Sequence, residues 1–158
     1  AATAKDVAVQ MAKPALTISS VLALSFLMNY SGSTMTLGLA FAATGSLFPF
    51  FSAILGWVGV FLTGSDTAAN ALFGNLQVVT AKTLNLNPVL MAASNSSGGV
   101  MGKMISLQSI AVAVAAAGMA TSEESRLFRY TLRHSIFLAS AIGLVVVFYA
   151  YVAPAWAP

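Results

Sequence analysis

The absence of charge limits the folds open to this chain more than any other feature. Between Lys13 and Asp66 there is no Asp, Glu, Lys or Arg, and across all 158 residues only 7% are charged while 58% are hydrophobic. A soluble domain carries about 25% charged residues, which it needs to face water. The sequence therefore reads as an all-α integral membrane protein with the lipid bilayer as its medium. In hydrocarbon every backbone polar group must be satisfied within the segment, so the spans are helices. Gly, Ala, Ser and Thr recur through the apolar runs, as they do where membrane helices pack closely. The seven basic residues are scattered, with no basic-aromatic patch, so the net charge of +3 speaks of topology and not of nucleic acid. Without cysteine there is no disulfide, thiolate metal site or cysteine nucleophile, and nothing calls for a cofactor.

Two polar islands interrupt the apolar text. The first is Thr63-Gly64-Ser65-Asp66-Thr67-Ala68-Ala69-Asn70, and the second is Ser94-Asn95-Ser96-Ser97-Gly98-Gly99, followed by Lys103. A polar break persists at membrane depth only when it is buried in protein or lines an aqueous cavity. The two islands are expected to face each other and form half of a solute site.

Read in order, residues 1–13 are a polar, amphipathic lead-in. Residues 14–31 are a first span opened by Pro14 at the first helical turn and closed by Asn29-Tyr30-Ser31-Gly32-Ser33. Residues 35–43 suggest a half-helix or an interfacial segment. Residues 47–84 fit a re-entrant hairpin with residues 64–70 at its tip, because the returning limb, marked by Asn75, Gln77 and Lys82, is too polar and too short for a comfortable span. Residues 88–118 read as one discontinuous helix, unwound at residues 94–99. Residues 121–134 read as a short amphipathic cytoplasmic loop helix, capped by Thr121 or Ser122, with Arg126, Arg129 and Arg133 on its polar face. Residues 135–153 are the last span, with Tyr149, Tyr151 and Trp156 as its aromatic belt, and Tyr30 anchors the first span in the same way. With Lys5, Lys13 and the three arginines inside, the hairpin enters and leaves from the outer face, and only Lys82 lies outside. Two full spans in place of the hairpin would put the arginines outside. The start, Ala1-Ala2-Thr3-Ala4-Lys5-Asp6, has neither an initiator methionine nor a signal-peptide pattern, which leads to the expectation of a longer parent polypeptide.

The segments Thr63-Gly64-Ser65-Asp66-Thr67, Asn70-Ala71-Leu72-Phe73-Gly74-Asn75-Leu76-Gln77 and Ala93-Ser94-Asn95-Ser96-Ser97-Gly98-Gly99-Val100-Met101-Gly102-Lys103-Met104-Ile105-Ser106 resemble the bacterial L-lactate permease family. The resemblance runs from about Lys5 to Trp156 and is to the C-terminal portion of much longer proteins. Ala68 and Ala69 stand where the family leads one to expect serines, and Leu107 stands where one expects proline. The resemblance implies uptake of L-lactate, and often of glycolate or D-lactate, with a proton. It also implies a multi-pass protein of the bacterial plasma (inner) membrane with a further N-terminal part; the hairpin and broken helix themselves lead to the expectation that this part holds the other half of an inverted-repeat transporter and completes the site.

A 2-hydroxy monocarboxylate needs N–H groups, hydroxyls, amides and a counter-charge around its carboxylate. The N-termini of half-helices, expected at residues 67–70 and 98–102, supply oriented N–H groups. Ser65, Thr67, Asn70, Ser94, Asn95, Ser96, Ser97, Gly98 and Gly99 are the candidate substrate contacts, and Lys103 is the candidate counter-ion or partner of Asp66. A carboxyl held away from water favours its uncharged form, so Asp66 is the expected proton carrier, and its competing reading is an N-cap. Asn75 and Gln77 either line the same cavity or join helices. His134, next to Arg133, is a surface loop residue. An intramembrane aspartyl protease needs two membrane carboxylates and finds only Asp66, while a serine protease finds no base at the right depth. The rival is a sodium-coupled organic-anion carrier, because unwound carbonyls beside Asn and Ser also suit sodium.

Overall fold

The computed structural model describes residues 2–157, which form seven α-helices with no strand among them. They are α1 (Ala2–Tyr30), α2 (Ser33–Ala42), α3 (Phe48–Thr63), α4 (Asp66–Thr83), α5 (Pro88–Lys103), α6 (Leu107–Ala116) and α7 (Glu124–Tyr151). The protein is an all-α membrane protein with bent helix pairs. Gly45–Thr63 and Glu124–Tyr151 are each long and apolar enough to cross a bilayer. Ala15–Tyr30 with Ser33–Ala42 reaches that length only as a pair bent by 76°, and Pro88–Lys103 with Leu107–Ala116 only as a pair bent by 42°. The limb α4 does not meet that measure.

Local chemistry sets the joints. Gly64 ends α3 in the left-handed conformation at φ 68°, and its N–H reaches the Val60 carbonyl at 2.7 Å. Ser65 is extended and caps α4, accepting from the Ala68 N–H at 3.3 Å. The hairpin therefore turns within two residues, and residues 66–70 of the expected tip lie in the opening turns of α4 because Ser65 caps the helix directly after Gly64. Asn87 caps α5 by accepting from the Val89 and Leu90 N–H groups at 2.8 and 3.2 Å, with Pro88 at the first helical position. Ser106 caps α6 and accepts from the Ser109 N–H at 3.3 Å.

The middle of the bundle is the contact of α3 with α5. Gly56 on α3 lies against the Asn95 backbone, and on α5 Gly98 lies against the Ala53 carbonyl and Gly102 against the Trp57 carbonyl. At each of these three glycines a Cβ would collide with backbone. Small residues thus let two helix axes approach in a setting where dispersion contact is the main attraction. Helix α4 covers one side of this pair and α7 the other. Ser135 on α7 accepts from the Trp57 indole at 2.8 Å and donates to the Met101 carbonyl at 2.5 Å, joining α7 to both α3 and α5. An apolar cluster of Phe48, Ala81, Leu90, Met91 and Val146 closes the end where Tyr151 donates to the Ser46 carbonyl at 3.0 Å. On the outer flank Asn75 donates to Asn29 at 2.7 Å, joining α4 to α1.

Four expectations change. The second island does not unwind: residues 94–99 lie inside α5, and the break falls at residues 104–106. The reason is that Gly98 and Gly102 serve close packing against α3, whose backbone leaves no room for unwinding. Pro14 does not open a helix, since α1 runs through it from Ala2 at the cost of the one N–H that proline lacks. Helix α7 is continuous from Glu124 to Tyr151, so the arginine-bearing segment is the first part of the last helix; no Gly or Pro interrupts residues 124–142. Its N-cap is Glu123, with no side-chain cap bond, in place of Thr121 or Ser122.

The glycine contacts make a specific expectation. Gly98→Ala should lower the thermal unfolding midpoint of the solubilised protein, at an overpacking cost of about 1–3 kcal/mol. Gly74→Ala, whose Cβ would meet nothing within 4 Å, should leave the midpoint unchanged or raise it. Equal behaviour of the two variants would contradict the close α3–α5 contact.

Candidate functional site

Asp66 is the first residue of α4, one position inside the Ser65 cap, so it is not the cap itself. Its Oδ2 accepts from Ser96 Oγ at 2.5 Å and from Asn70 Nδ2 at 2.9 Å. Its Oδ1 is buried without a hydrogen-bond partner. That oxygen lies over Gly99, where a Cβ would stand 2.5 Å away, so the glycine makes room for the carboxylate. The two polar islands do meet, but as side chains of two regular helices.

From Asp66 the polar contacts run into the core. Asn95 donates to Asn70 Oδ1 at 2.8 Å, and Gln77 donates to Asn95 Oδ1 at 3.1 Å. Gln77 also donates to the Ser52 carbonyl at 2.9 Å and accepts from Ser52 Oγ at 2.7 Å. Ser52 contacts Ser94, which donates to the Met91 carbonyl at 2.8 Å. Ser52, Gln77 and Asn95 are fully buried, and Ser94 nearly so. The chain links α3, α4 and α5, and satisfaction of these groups is what makes their burial tolerable.

The other expected residues divide. Thr67 and Ser97 are exposed and stand outside this chain of contacts, Ser97 bonding back to the Ala93 carbonyl at 3.0 Å. Gly98 serves packing. Lys103 is exposed; it donates to the Gly64 carbonyl and, at 3.4 Å, to Gln108, and no ion pair joins it to Asp66 among the described residues. An ammonium on the last carbonyls of α3 complements the negative end of that helix. The expected half-helix start at residues 98–102 is not there; α6 starts at Leu107 instead, with Ser106 as its cap.

A pocket of about 480 Å³ opens between Gly64, Ser65, Asp66, Val100, Lys103, Met104 and Ser109. It brings together the first turn of α4, the first turn of α6 and the Lys103 ammonium. Two helix N-termini and a cation are suited to a small anion. A larger cavity of about 610 Å³ between α6 and α7 is floored by Leu107, Ile110, Ala111 and Phe128 and does not touch the buried amide chain. Among the described residues no group of three or more His, Asp or Glu could hold a metal ion. His134 is exposed and contacts the Tyr130 carbonyl at 2.9 Å.

Sequence reasoning missed Ser52 and the α6 cap at Ser106. Ser52 is a lone hydroxyl in an apolar run and carries no local signal. The spacing Ser106-Leu107-Gln108-Ser109 could have marked a cap.

The L-lactate permease family model matches residues 1–153. The glycolate permease of Escherichia coli (strain K12) is 59% identical over 139 residues, covering 88% of this chain and 25% of that protein. The L-lactate permease of Bacillus subtilis (strain 168) is 55% identical over 141 residues, 89% of this chain and 25% of that protein. The L-lactate permease of Salmonella typhi is 52% identical over 143 residues, 90% of this chain and 26% of that protein. No solved structure matches. The chain spans about a quarter of the length of these relatives. The match extends over both islands and over the helices that place them, and the chain belongs to the L-lactate permease family.

Proposed function

We propose that this chain forms the C-terminal quarter of a proton-coupled permease that takes up L-lactate and related 2-hydroxy monocarboxylates, such as glycolate or D-lactate, across the bacterial inner membrane. The observation that carries the reading is the pocket at the hairpin tip, where Asp66, Lys103 and the first turns of α4 and α6 converge. The names of the relatives, lactate and glycolate permeases, supply the substrate class. Membership of a permease family fits a transporter and not an enzyme. The remainder of the parent polypeptide would complete the site, as the second half of an inverted repeat.

In this reading the substrate carboxylate sits on the helix N-termini with Lys103 as its counter-charge, which shifts from Gly64 to the substrate. The substrate hydroxyl finds Ser65, Ser109 or the backbone of the tip. Asp66 carries the coupled proton. While ionised it repels a second anion in the pocket, and once neutral it admits one, so proton and substrate enter together. The hairpin α3–α4 is re-entrant, with its tip at the depth of the break between α5 and α6.

Three measurements test this on the intact polypeptide in proteoliposomes. A proton gradient should drive lactate accumulation, and a sodium gradient alone should not; accumulation on sodium alone would remove the proton reading. Asp66→Asn should abolish accumulation while lactate counterflow persists, since exchange needs no net proton movement. Accumulation at the parent level in that variant would take Asp66 out of the mechanism. Lys103→Met should raise the KM for lactate about ten- to a hundredfold, the range expected for losing a hydrogen bond to a charged group. An unchanged KM would leave Lys103 as a helix cap alone.

A further inference from the structure

The buried contacts behind Asp66 all point one way. Ser52 Oγ donates to Gln77 Oε1, Gln77 Nε2 to Asn95 Oδ1, Asn95 Nδ2 to Asn70 Oδ1, and Asn70 Nδ2 to Asp66 Oδ2. Each amide receives on its oxygen and donates from its nitrogen. Both ends of the chain fix this direction. At the deep end Gln77 Nε2 also faces the Ser52 backbone carbonyl, which can only accept. At the tip a carboxylate can only accept. Turning any single amide over would set donor against donor or acceptor against acceptor in a dry core, where each mismatch carries a full desolvation penalty. Aligned hydrogen bonds of this kind also polarise one another.

We infer that Gln77 is a positioning residue for proton coupling: through this one-way amide chain it holds Asp66 Oδ2 as a permanent acceptor, leaving Oδ1 as the oxygen that gains and loses the proton. The inference rests on the proposed role of Asp66 and deepens it. A carboxyl protonated on Oδ1 keeps Oδ2 as a carbonyl oxygen that still accepts from Asn70 and Ser96, so the chain stays as it is. A proton on Oδ2 would have to turn the Ser96 hydroxyl from donor to acceptor and would weaken the bond from Asn70, so the resting contacts favour Oδ1. Oδ1 is the one oxygen of the pair without a bond, and it is packed over Gly99, the residue type that leaves room for it. The deep residue thus favours one oxygen of the carboxyl from about eleven residues away along α4, roughly 16 Å at 1.5 Å per residue. Amides do not pass protons along, so the chain orients the carboxyl and does not conduct. The charged group facing this region from α5 is Lys103, which is bound to Gly64 and Gln108.

The test compares Gln77→Met and Ser52→Ala with the parent in the intact polypeptide, reconstituted in proteoliposomes and normalised to the amount of protein inserted. Lactate accumulation under a proton gradient and lactate counterflow are measured side by side. Gln77→Met, close in shape but without donors, should lower accumulation roughly tenfold, the size expected for a hydrogen bond acting on a charged group. Counterflow should stay within about twofold, because the pocket is untouched. Ser52→Ala, the smaller change, should move the same ratio in the same direction by less. A merely structural role would reduce both activities together, and that outcome overturns the inference. So does parent-level accumulation in both variants while Asp66→Asn has lost it, which leaves the proposed function standing. Accumulation retained by Asp66→Asn removes the proton role and this inference with it.

Discussion

Everything at the hairpin tip depends on how closely α3 and α5 approach. Gly56, Gly98 and Gly102 bring backbone against backbone, and at that spacing the side chains of Asn95 and Ser94 have no outlet except toward α3 and α4. The polar chain is a consequence of that contact. Had larger residues held the helices a few ångströms apart, Gln77 could not bond α3 and α5 at once, and a fully buried amide would be left short of a partner. In lipid no gain from expelling water compensates for such a loss, so packing and polar satisfaction are one requirement here.

The same contact determines where charge can stand. A carboxylate at the start of α4 faces the positive end of its own helix and receives two side-chain donors, which makes it tolerable at this depth. The ammonium of Lys103 stands at the negative end of α3. The pocket between them has opposite charges on its walls, yet each charge is answered by a separate helix end. This arrangement leaves the pocket polarised, with no ion pair between Asp66 and Lys103 among the described residues.

Much of this was legible in the sequence, and most of the rest depended on partners distant along the chain. The charge-free run from Pro14 to Ser65 gave the membrane class, and the polar run from Gly64 marked the turn, although the expected tip ran on to Asn70 and the expected cap was Asp66, not Ser65. Ser94-Asn95-Ser96-Ser97-Gly98-Gly99 was misread because poor helix formers mark either an unwound segment or a close helix contact, and the local text is the same for both. What decides is the Ala53 carbonyl, forty-five positions away and invisible to any window. Ser52 escaped for the same reason, since its partners Gln77 and Ser94 come from other helices. The split at residues 134 and 135 failed differently: the arginines mark an amphipathic face, but a change of face does not end a helix when nothing interrupts the backbone.

The two sides of the bend between α5 and α6 are not alike in mechanical terms. Helix α5 is fastened to α3 by glycine contacts, to α4 by amides and to α7 by Ser135, and its last residue is bound to the hairpin tip through Lys103. Beyond the 42° bend, α6 has its principal contact with α7 alone. A load applied to this assembly would therefore find one compliant member hinged on a stiff block, and the block carries Asp66. Were α6 to turn about that bend, the carboxyl would keep its surroundings while the wall across from it moved, and access to the charge would change without the charge itself being moved.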